Sequence, residues 1–338
     1  MPGPHPHGPI ALAVDLREDA WELAACELGG RVAVLDSWPH DGTPAGALRP
    51  LGHALRTHLR AYGSRVAGIG LAVPGPIRGD RYVDIAHLGW RAVDVPALLG
   101  PLDHVPLLIG NDTACAALAE SRRGLLAGVA VALHIHVDFD LGGVLVVQGR
   151  PLAGANGVGA EFGHMPLSGG TARCMCGATG CWGMDVGSNA LLRHLGLPAG
   201  GGKGRDQAEA ILTRAAAQAE ASEPLPGDGR EAQAVTAVKA GAAALGRGIA
   251  ALVNAHDPEI VTLSGLGVDL HLRAGDEMRR AFVDGLMDIR ADHPPELAPS
   301  ALGWRGPLVG AMESVFDAFL TPRGLRAWRP ATRPGGEV

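Results

Sequence analysis

The sequence predicts an α/β fold built from two related lobes with a cleft between them. Three observations carry this. A chain of 338 residues with 47% hydrophobic content can bury two cores of ordinary size. Short apolar β-type runs alternate with helical patterns along the chain. The pattern of strands followed by helices then restarts near residue 130, as expected of two lobes on one plan.

The elements follow in order. "IALAVDL", "WELAACEL" and "RVAVLDSW" read as three consecutive strands joined by short polar turns, and a helix follows from about Thr43 to Tyr62. "RVAGIGLAVPGPI" is an apolar strand ending in a Pro-Gly turn. "VPLLIGND" is a buried strand that delivers Asn111 and Asp112 at its C-terminal end, and "TACAALAESRRGL" is the helix beyond it. "VAVALHIHV" and "GGVLVVQGRPL" form a hairpin, and the remainder alternates helices with the strand "EIVTLSG". "GLPAGGGKGRD" and "ASEPLPGDGRE" read as flexible connections. Residues 1–111 are thus assigned to a first lobe and 112–306 to a second, with a knuckle at 163–183. Residues 307–320 form a helix returning toward the first lobe, and 321–338 a tail.

Composition narrows the function. No uninterrupted apolar stretch reaches the roughly 18 residues of a membrane span, and "MPGPHPHGPI" lacks the basic and apolar blocks of a signal peptide. A cytoplasmic protein without a membrane partner is expected. The formal net charge is −6, and basic residues are scattered apart from Arg122, Arg123 and a few C-terminal arginines. No face is built for a phosphate backbone, so nucleic-acid binding through this chain alone is not expected.

Two of the five cysteines, Cys26 and Cys115, lie in apolar runs and read as small buried thiols. The other three belong to "GHMPLSGGTARCMCGATGCWGMD", a segment too polar to bury a core. His164, Cys174, Cys176 and Cys181 supply four soft or borderline ligands within 18 positions. That set suits a tetrahedral, structural Zn²⁺, with nearby glycines letting the backbone turn around the ion. Four protein ligands fill the coordination sphere and disfavour metal-activated water.

The residues also carry a resemblance. "GIGLAVPGPI", "HLGWRAVDVPALL", "NDTACAALAE", "GRPLAGANGVGAEFGHMPL", "CMCGATGC", "VNAHDPEIVTLSG" and "SALGWRGPLVGA" each resemble a segment of the ROK family (repressors, open reading frames and sugar kinases), in the family's order. The similarity runs from about Ile10 to Leu320. It implies the two-lobed, actin-like, ribonuclease-H-like ATPase fold with a zinc-binding knuckle. It also implies a sugar site. Asn111 and Asp112 match the family's Asn-Asp pair, whose carboxylate takes the proton of the attacking sugar hydroxyl, so Asp112 is the catalytic candidate. Glu161 and His164 match the Glu-x-Gly-His motif that hydrogen-bonds other hydroxyls, with one ring nitrogen of His164 on zinc and the other toward the sugar. On spacing alone, Asp112 could equally cap the helix that follows it. A homodimer is a further family expectation.

The resemblance breaks where ATP should bind. Kinases of this fold cradle phosphates on two glycine-rich hairpins, because backbone N–H groups reach the oxygens only where side chains are absent. The first hairpin here reads "DLREDAW", keeping Asp15 but placing Arg17, Glu18 and Asp19 where small residues belong. The second reads "DFDLGG", with Asp138, Phe139 and Asp140 in place of Gly-Thr-Gly. Like charges at about 4 Å repel by roughly 1 kcal/mol in water and about 4 kcal/mol at an effective dielectric of 20. A micromolar site is worth only about 8 kcal/mol. ATP and Mg²⁺ are therefore not expected. The adenosine-side loop is also altered, reading "SGLG" from Ser264 to Gly267. On the sugar side, Gly183 replaces a frequent glutamate, His87 an asparagine and Ala114 an asparagine, which favours a modified sugar, amino sugar, cyclitol or sugar phosphate over an ordinary hexose.

Three function classes follow. The first is a regulator-like sugar sensor with degenerate nucleotide loops, although only "MPGPHPHGP" precedes the first strand where such regulators carry a winged helix-turn-helix. The second is an ATP-dependent sugar kinase. The third is a non-phosphoryl enzyme that reuses Asp112, Glu161 and His164 for acid-base work on a polyol. The first is the expectation.

Overall fold

Residues 8–159, 161–199, 204–220 and 229–328 are described by the computed structural model. The N-terminal apolar runs form strands β1 (Ile10–Leu16), β2 (Ala20–Glu27) and β3 (Val32–Pro39). Helix α1 (Pro44–Tyr62) begins where Thr43 accepts a hydrogen bond from Gly46 N at 3.0 Å and Pro44 presets the first turn. It buries Leu48, Leu51, Leu55 and Leu59, one face of a 3.6-residue repeat. Strand β4 (Val66–Val73) follows, then a small antiparallel sheet of β5 (Ile77–Arg78), β6 (Tyr82–Ile85) and β7 (Trp90–Asp94). Helix α2 (Val95–Leu99), strand β8 (Leu107–Asn111) and helix α3 (Asp112–Arg123) complete this part. The main sheet has the order β3-β2-β1-β4-β8, with the first three strands antiparallel and β4 and β8 parallel to β1.

The second sheet repeats that plan. Strands β9 (Val131–Val137), β10 (Leu141–Val147) and β11 (Arg150–Pro151) are antiparallel. After helices α4 (Ser188–His194), α5 (Gly204–Glu220) and α6 (Arg230–His256) comes β12 (Ile260–Gly265), parallel to β9. Helices α7 (Leu266–Asp284) and α8 (Asp288–Ala291) lead to β13 (Glu296–Pro299), giving the order β11-β10-β9-β12-β13. Leu133, Ile135 and Val137 of β9 enter one core with Leu245, Ile249 and Val253 of α6 and Met278 and Phe282 of α7. Among the described residues, α6 has the length and composition of a membrane span, but its apolar side chains are packed into this core.

The chain divides into two compact units. The first holds residues 1–85, 89–115 and 307–338, and the second 86–88 and 116–306. The expected boundary after residue 111 thus moves into α3. The cause is helix α9 (Gly306–Phe319), which presses on the first turn of α3 so closely that a Cβ on Gly310 would lie 1.8 Å from Cys115 O. On the same helix, Ala311 O lies 2.1 Å from where a Cβ of Gly70 on β4 would be. The expected tail also begins as helix α10 (Pro322–Ala327), capped by Thr321 and followed by Trp328, whose Nε1 donates to Ser64 O at 3.0 Å. Residues 1–7 of the N-terminal segment, 200–203 and 221–228 of the two connections, and 329–338 of the tail lie outside the described residues.

Candidate metal and ligand site

The knuckle lies between β11 and α4 and is held by backbone bonds of its own. Ser168 N donates to Gly180 O, Cys174 N to Ala178 O, and Trp182 N to Met165 O, at 3.0, 2.8 and 2.8 Å. One donor atom from each of His164, Cys174, Cys176 and Cys181 lies within 4.8 Å of all the others. His164 Nδ1 is 3.8 Å from Cys174 Sγ, and Cys176 Sγ is 3.7 Å from Cys181 Sγ. Ligands about 2.3 Å from a tetrahedral ion are about 3.8 Å apart, so this set fits zinc and could hold it. Burial and the neighbouring Cys176 thiol push Cys181 up to about 12, and burial raises Cys174 as well. Thiolates crowded this closely need a cation beside them.

His164 turns its Nε2 to Glu161, 3.7 Å from Oε2. Glu161 bridges to Gly143 of β10, and the short turn Phe162–His164 packs so tightly that a Cβ on Gly163 would meet Leu141 O at 2.0 Å. Burial raises the Glu161 carboxyl and lowers the His164 imidazole, the latter opposed by the Asp140 carboxylate. His87 pairs through Nε2 with Asp140 Oδ2. This pair draws Ala86–Leu88 into the second unit. Glu161, His164, His87 and Asp140 therefore form one polar neighbourhood in that unit.

Asn111 and Asp112 belong to the first unit, at the end of β8 and the start of α3. The helix cap is Asn111, whose Oδ1 accepts from Ala114 N at 3.1 Å. Asp112 sits in the first turn, its Oδ1 accepting from Thr113 N at 2.6 Å. The capping role left open for Asp112 is thus taken by its neighbour.

Both candidate phosphate hairpins are closed on themselves. In the first, Arg17 N donates to Ala20 O at 2.9 Å, and Arg17 Nε pairs with Asp19 at 3.3 Å. His40 accepts from Gly42 N at Nδ1, so its Nε2 carries the proton donated to Arg17 O at 3.0 Å. Burial holds the His40 pKa low, which suits that neutral tautomer. Asp15 and Glu18 are buried. In the second hairpin, Asp138 accepts from Arg205 at 3.3 and 2.5 Å, and Arg205 lies 4.2 Å over the ring of Trp304. Phe139 is buried. The expectation that unbalanced carboxylates repel phosphate needs correction, because Asp19, Asp138 and Asp140 each have a cationic or imidazole partner. The acidic side chains of these loops are paired within the fold rather than left as bare charge.

The sequence profile of the ROK family matches residues 14–317. The chain belongs to the ROK family. The xylose repressor of Bacillus subtilis is 25% identical over 254 residues, which span 75% of this chain and 62% of the repressor. The kanosamine kinase of Amycolatopsis mediterranei is 32% identical over 253 residues, covering 71% of this chain and 79% of the kinase. Among solved structures, a ROK family glucokinase from Streptomyces griseus in complex with glucose and AMPPNP superposes with a TM-score of 0.73. It is 22% identical, with 91% of this chain and 99% of that one covered. The actin-like fold follows from this likeness and from the repeated sheet order.

This ROK protein also contains groups that the sequence reading passed over. His134 and His136 of β9 are fully buried and face Thr262 and Ser264 of β12. His134 Nδ1 is 2.8 Å from Thr262 Oγ1 and its Nε2 3.0 Å from Ser264 Oγ, which is in turn 2.8 Å from His136 Nδ1. The signal was present: alternate polar residues in two otherwise apolar strands, "HIH" against "TLS". Arg205 and Trp304 carried no such signal, because their partners are distant in sequence.

Proposed function

We propose that this ROK protein binds a sugar or sugar-like polyol through Asn111, Asp112, Glu161 and His164, holds structural zinc on His164, Cys174, Cys176 and Cys181, and senses its ligand without using ATP. The supporting observation is the second hairpin. Its Asp138 N–H is committed to Asp140 O at 2.9 Å, its carbonyls at Asp138 and Phe139 accept from Ser188 N and Asn189 N of α4, and its side chains are packed or ion-paired. Phosphoryl transfer depends on positioning and neutralising phosphates, and a loop that carries two carboxylates and the side chain of Phe139 where glycines would bare the backbone is poorly suited to that work. When bound, zinc supplies a rigid anchor for the His164 ring. His164 and Glu161 then present a donor and an acceptor to hydroxyl groups, and Asp112 serves as a hydrogen-bond acceptor. A homodimer is part of the same reading, as are the absence of a nucleic-acid partner for this chain alone and a cytoplasmic location.

Calorimetric titration tests the nucleotide half. No saturable heat is expected with ATP and Mg²⁺, while a sugar panel gives binding without nucleotide. A ligand at 100 times its dissociation constant should add about 2.7 kcal/mol of stability. Micromolar ATP binding with sugar-dependent ADP release would instead establish the kinase reading, which the 32% identity to a kanosamine kinase and the presence of Asp112 favour. Metal analysis tests the other half: one zinc per chain is expected, with Cys176→Ser lowering the content. Purified protein with no zinc would remove the knuckle from the proposal.

A further inference from the structure

We propose that Cys176 is a redox modification site of this ROK protein: hydrogen peroxide oxidises it to a sulfenic acid, Cys181 closes a disulfide on it, and the knuckle releases its zinc. The inference rests on the zinc reading above. Cys174 and Cys181 are buried, whereas Cys176 is exposed, as are its neighbours from Met175 to Thr179. An oxidant arriving from solvent therefore meets Cys176 first. Cys26 and Cys115, buried within β2 and α3, are out of its reach.

Geometry then selects the partner. Cys181 Sγ is 3.7 Å from Cys176 Sγ, so a disulfide of about 2.0 Å needs only a short approach. Cys181 is the fixed end of that approach, because the adjoining Trp182 is buried and donates from Nε1 to Ala244 O at 2.9 Å and from its backbone N to Met165 O at 2.8 Å. Cys176 is the end that gives. Gly177 follows it at φ 98°, and nothing lies within 4 Å of the place a Cβ would take there, so the turn that carries Cys176 has open space on that side. Cys174 is the poorer partner. Its Sγ lies 3.8 Å from His164 Nδ1, and its backbone is held in the same turn by bonds from Cys174 N to Ala178 O and from Gly177 N to Cys174 O at 2.8 and 2.9 Å. A bridge from Cys174 to Cys176 would have to close across one residue inside that turn.

In the first step the Cys176 sulfur attacks one peroxide oxygen, the O–O bond breaks, and a water leaves as sulfur is oxidised to the sulfenic acid. The Cys181 sulfur then attacks Cys176, the S–O bond breaks, and a second water leaves as the S–S bond forms. Two thiolates, one hydrogen peroxide and two protons from solvent thus give one disulfide and two waters. His164 and Cys174 alone remain as ligands, too few to hold a tetrahedral ion.

The purified full chain, its zinc content first measured, is treated with hydrogen peroxide while a chromogenic chelator reports released metal, and its cysteines are mapped by alkylation and mass spectrometry. One zinc should leave per Cys176–Cys181 disulfide formed, Cys26 and Cys115 should stay reduced, and a dithiol reductant with added zinc should restore the starting state. Cys181→Ser removes the resolving sulfur, so Cys176 should stop at the sulfenic acid and be trapped by dimedone. Should that variant fail to fold, the wild-type map decides alone. A disulfide joining Cys174 to either neighbour, a sulfinic acid on an unbridged Cys176, or three reduced thiols with zinc retained after peroxide has oxidised glutathione in the same solution overturns this inference and leaves the zinc reading standing. Purified protein without zinc removes the zinc reading; a Cys176–Cys181 bridge in that metal-free chain upholds the modification site, and any other product overturns both.

Discussion

Trp182→Ala should destabilise the second unit by about 3–5 kcal/mol, the usual range for deleting a fully buried large aromatic. Trp182 directly follows the last knuckle cysteine and is 1% exposed. Its Nε1 donates to Ala244 O of α6 at 2.9 Å, and its ring fills the space above Gly248 so completely that a Cβ there would lie 2.0 Å from ring atom Cε2. The indole is thus the rivet between the polar knuckle and the apolar helix, and the glycine exists to receive it. Removing it opens a cavity and takes away an additional hydrogen bond to a helix carbonyl, and Cys181 loses its neighbouring anchor at the same time. Denaturant unfolding should show the lost stability, and competition with a chelator should show weaker zinc retention. Trp182→Phe keeps most of the volume and should lose chiefly the hydrogen bond, about 1 kcal/mol. A loss of less than about 1 kcal/mol for Trp182→Ala would mean that the knuckle is docked by other contacts.

The same contact shows what could be read from the sequence. The Cys-x-Cys and Cys-Gly spacings picked out the candidate ligand group that the fold brings together, because four residues from one segment constrain each other locally, and Thr43-Pro44 marked the start of α1 through a local cap. The five strands of the first sheet were legible because most are buried on both faces and read as continuous apolar runs. By contrast, β5, β6 and β7 are short and partly exposed, and β13 has four residues including a proline, so no periodicity announces them. The acidic hairpins were legible as departures but not as structures. Asp138 is paired with Arg205, 67 positions away, and Asp140 with His87, from a segment that joins the second unit as three residues. Long-range pairs of this kind convert an apparent excess of charge into a packed, compensated loop, and only the fold brings the partners together.

Stability should fall steeply as the pH drops below about 6.5, because of a pair of histidines with no part in the proposed site. Burial drives His134 down to about 3, with the neighbouring His136 contributing, and His136 down to about 4 despite the opposing charge of Asp138. In the folded chain both rings are neutral, which lets the Thr262–His134–Ser264–His136 hydrogen bonds run in one consistent direction. In the unfolded chain each histidine titrates near 6.5. Between about pH 4 and 6.5 the unfolded state therefore holds up to two more protons, so stability rises with pH in this window and is lost as the pH falls. Two protons correspond to at most about 2.7 kcal/mol per pH unit. Half-buried His40, lowered by partial desolvation, acts in the same direction, whereas Glu161, raised by burial, opposes it. Urea midpoints measured at about pH 7 and about pH 5 should differ by several kcal/mol in unfolding free energy. Replacing the network with apolar residues of similar shape, His134→Leu and His136→Leu with Thr262→Val and Ser264→Ala, removes donors and acceptors together. That variant should lose most of the pH dependence while zinc content stays the same. An equally steep fall in it would assign the acid sensitivity to other groups, and a flat wild-type profile would mean that the two buried imidazoles accept protons without unfolding the strands that carry them.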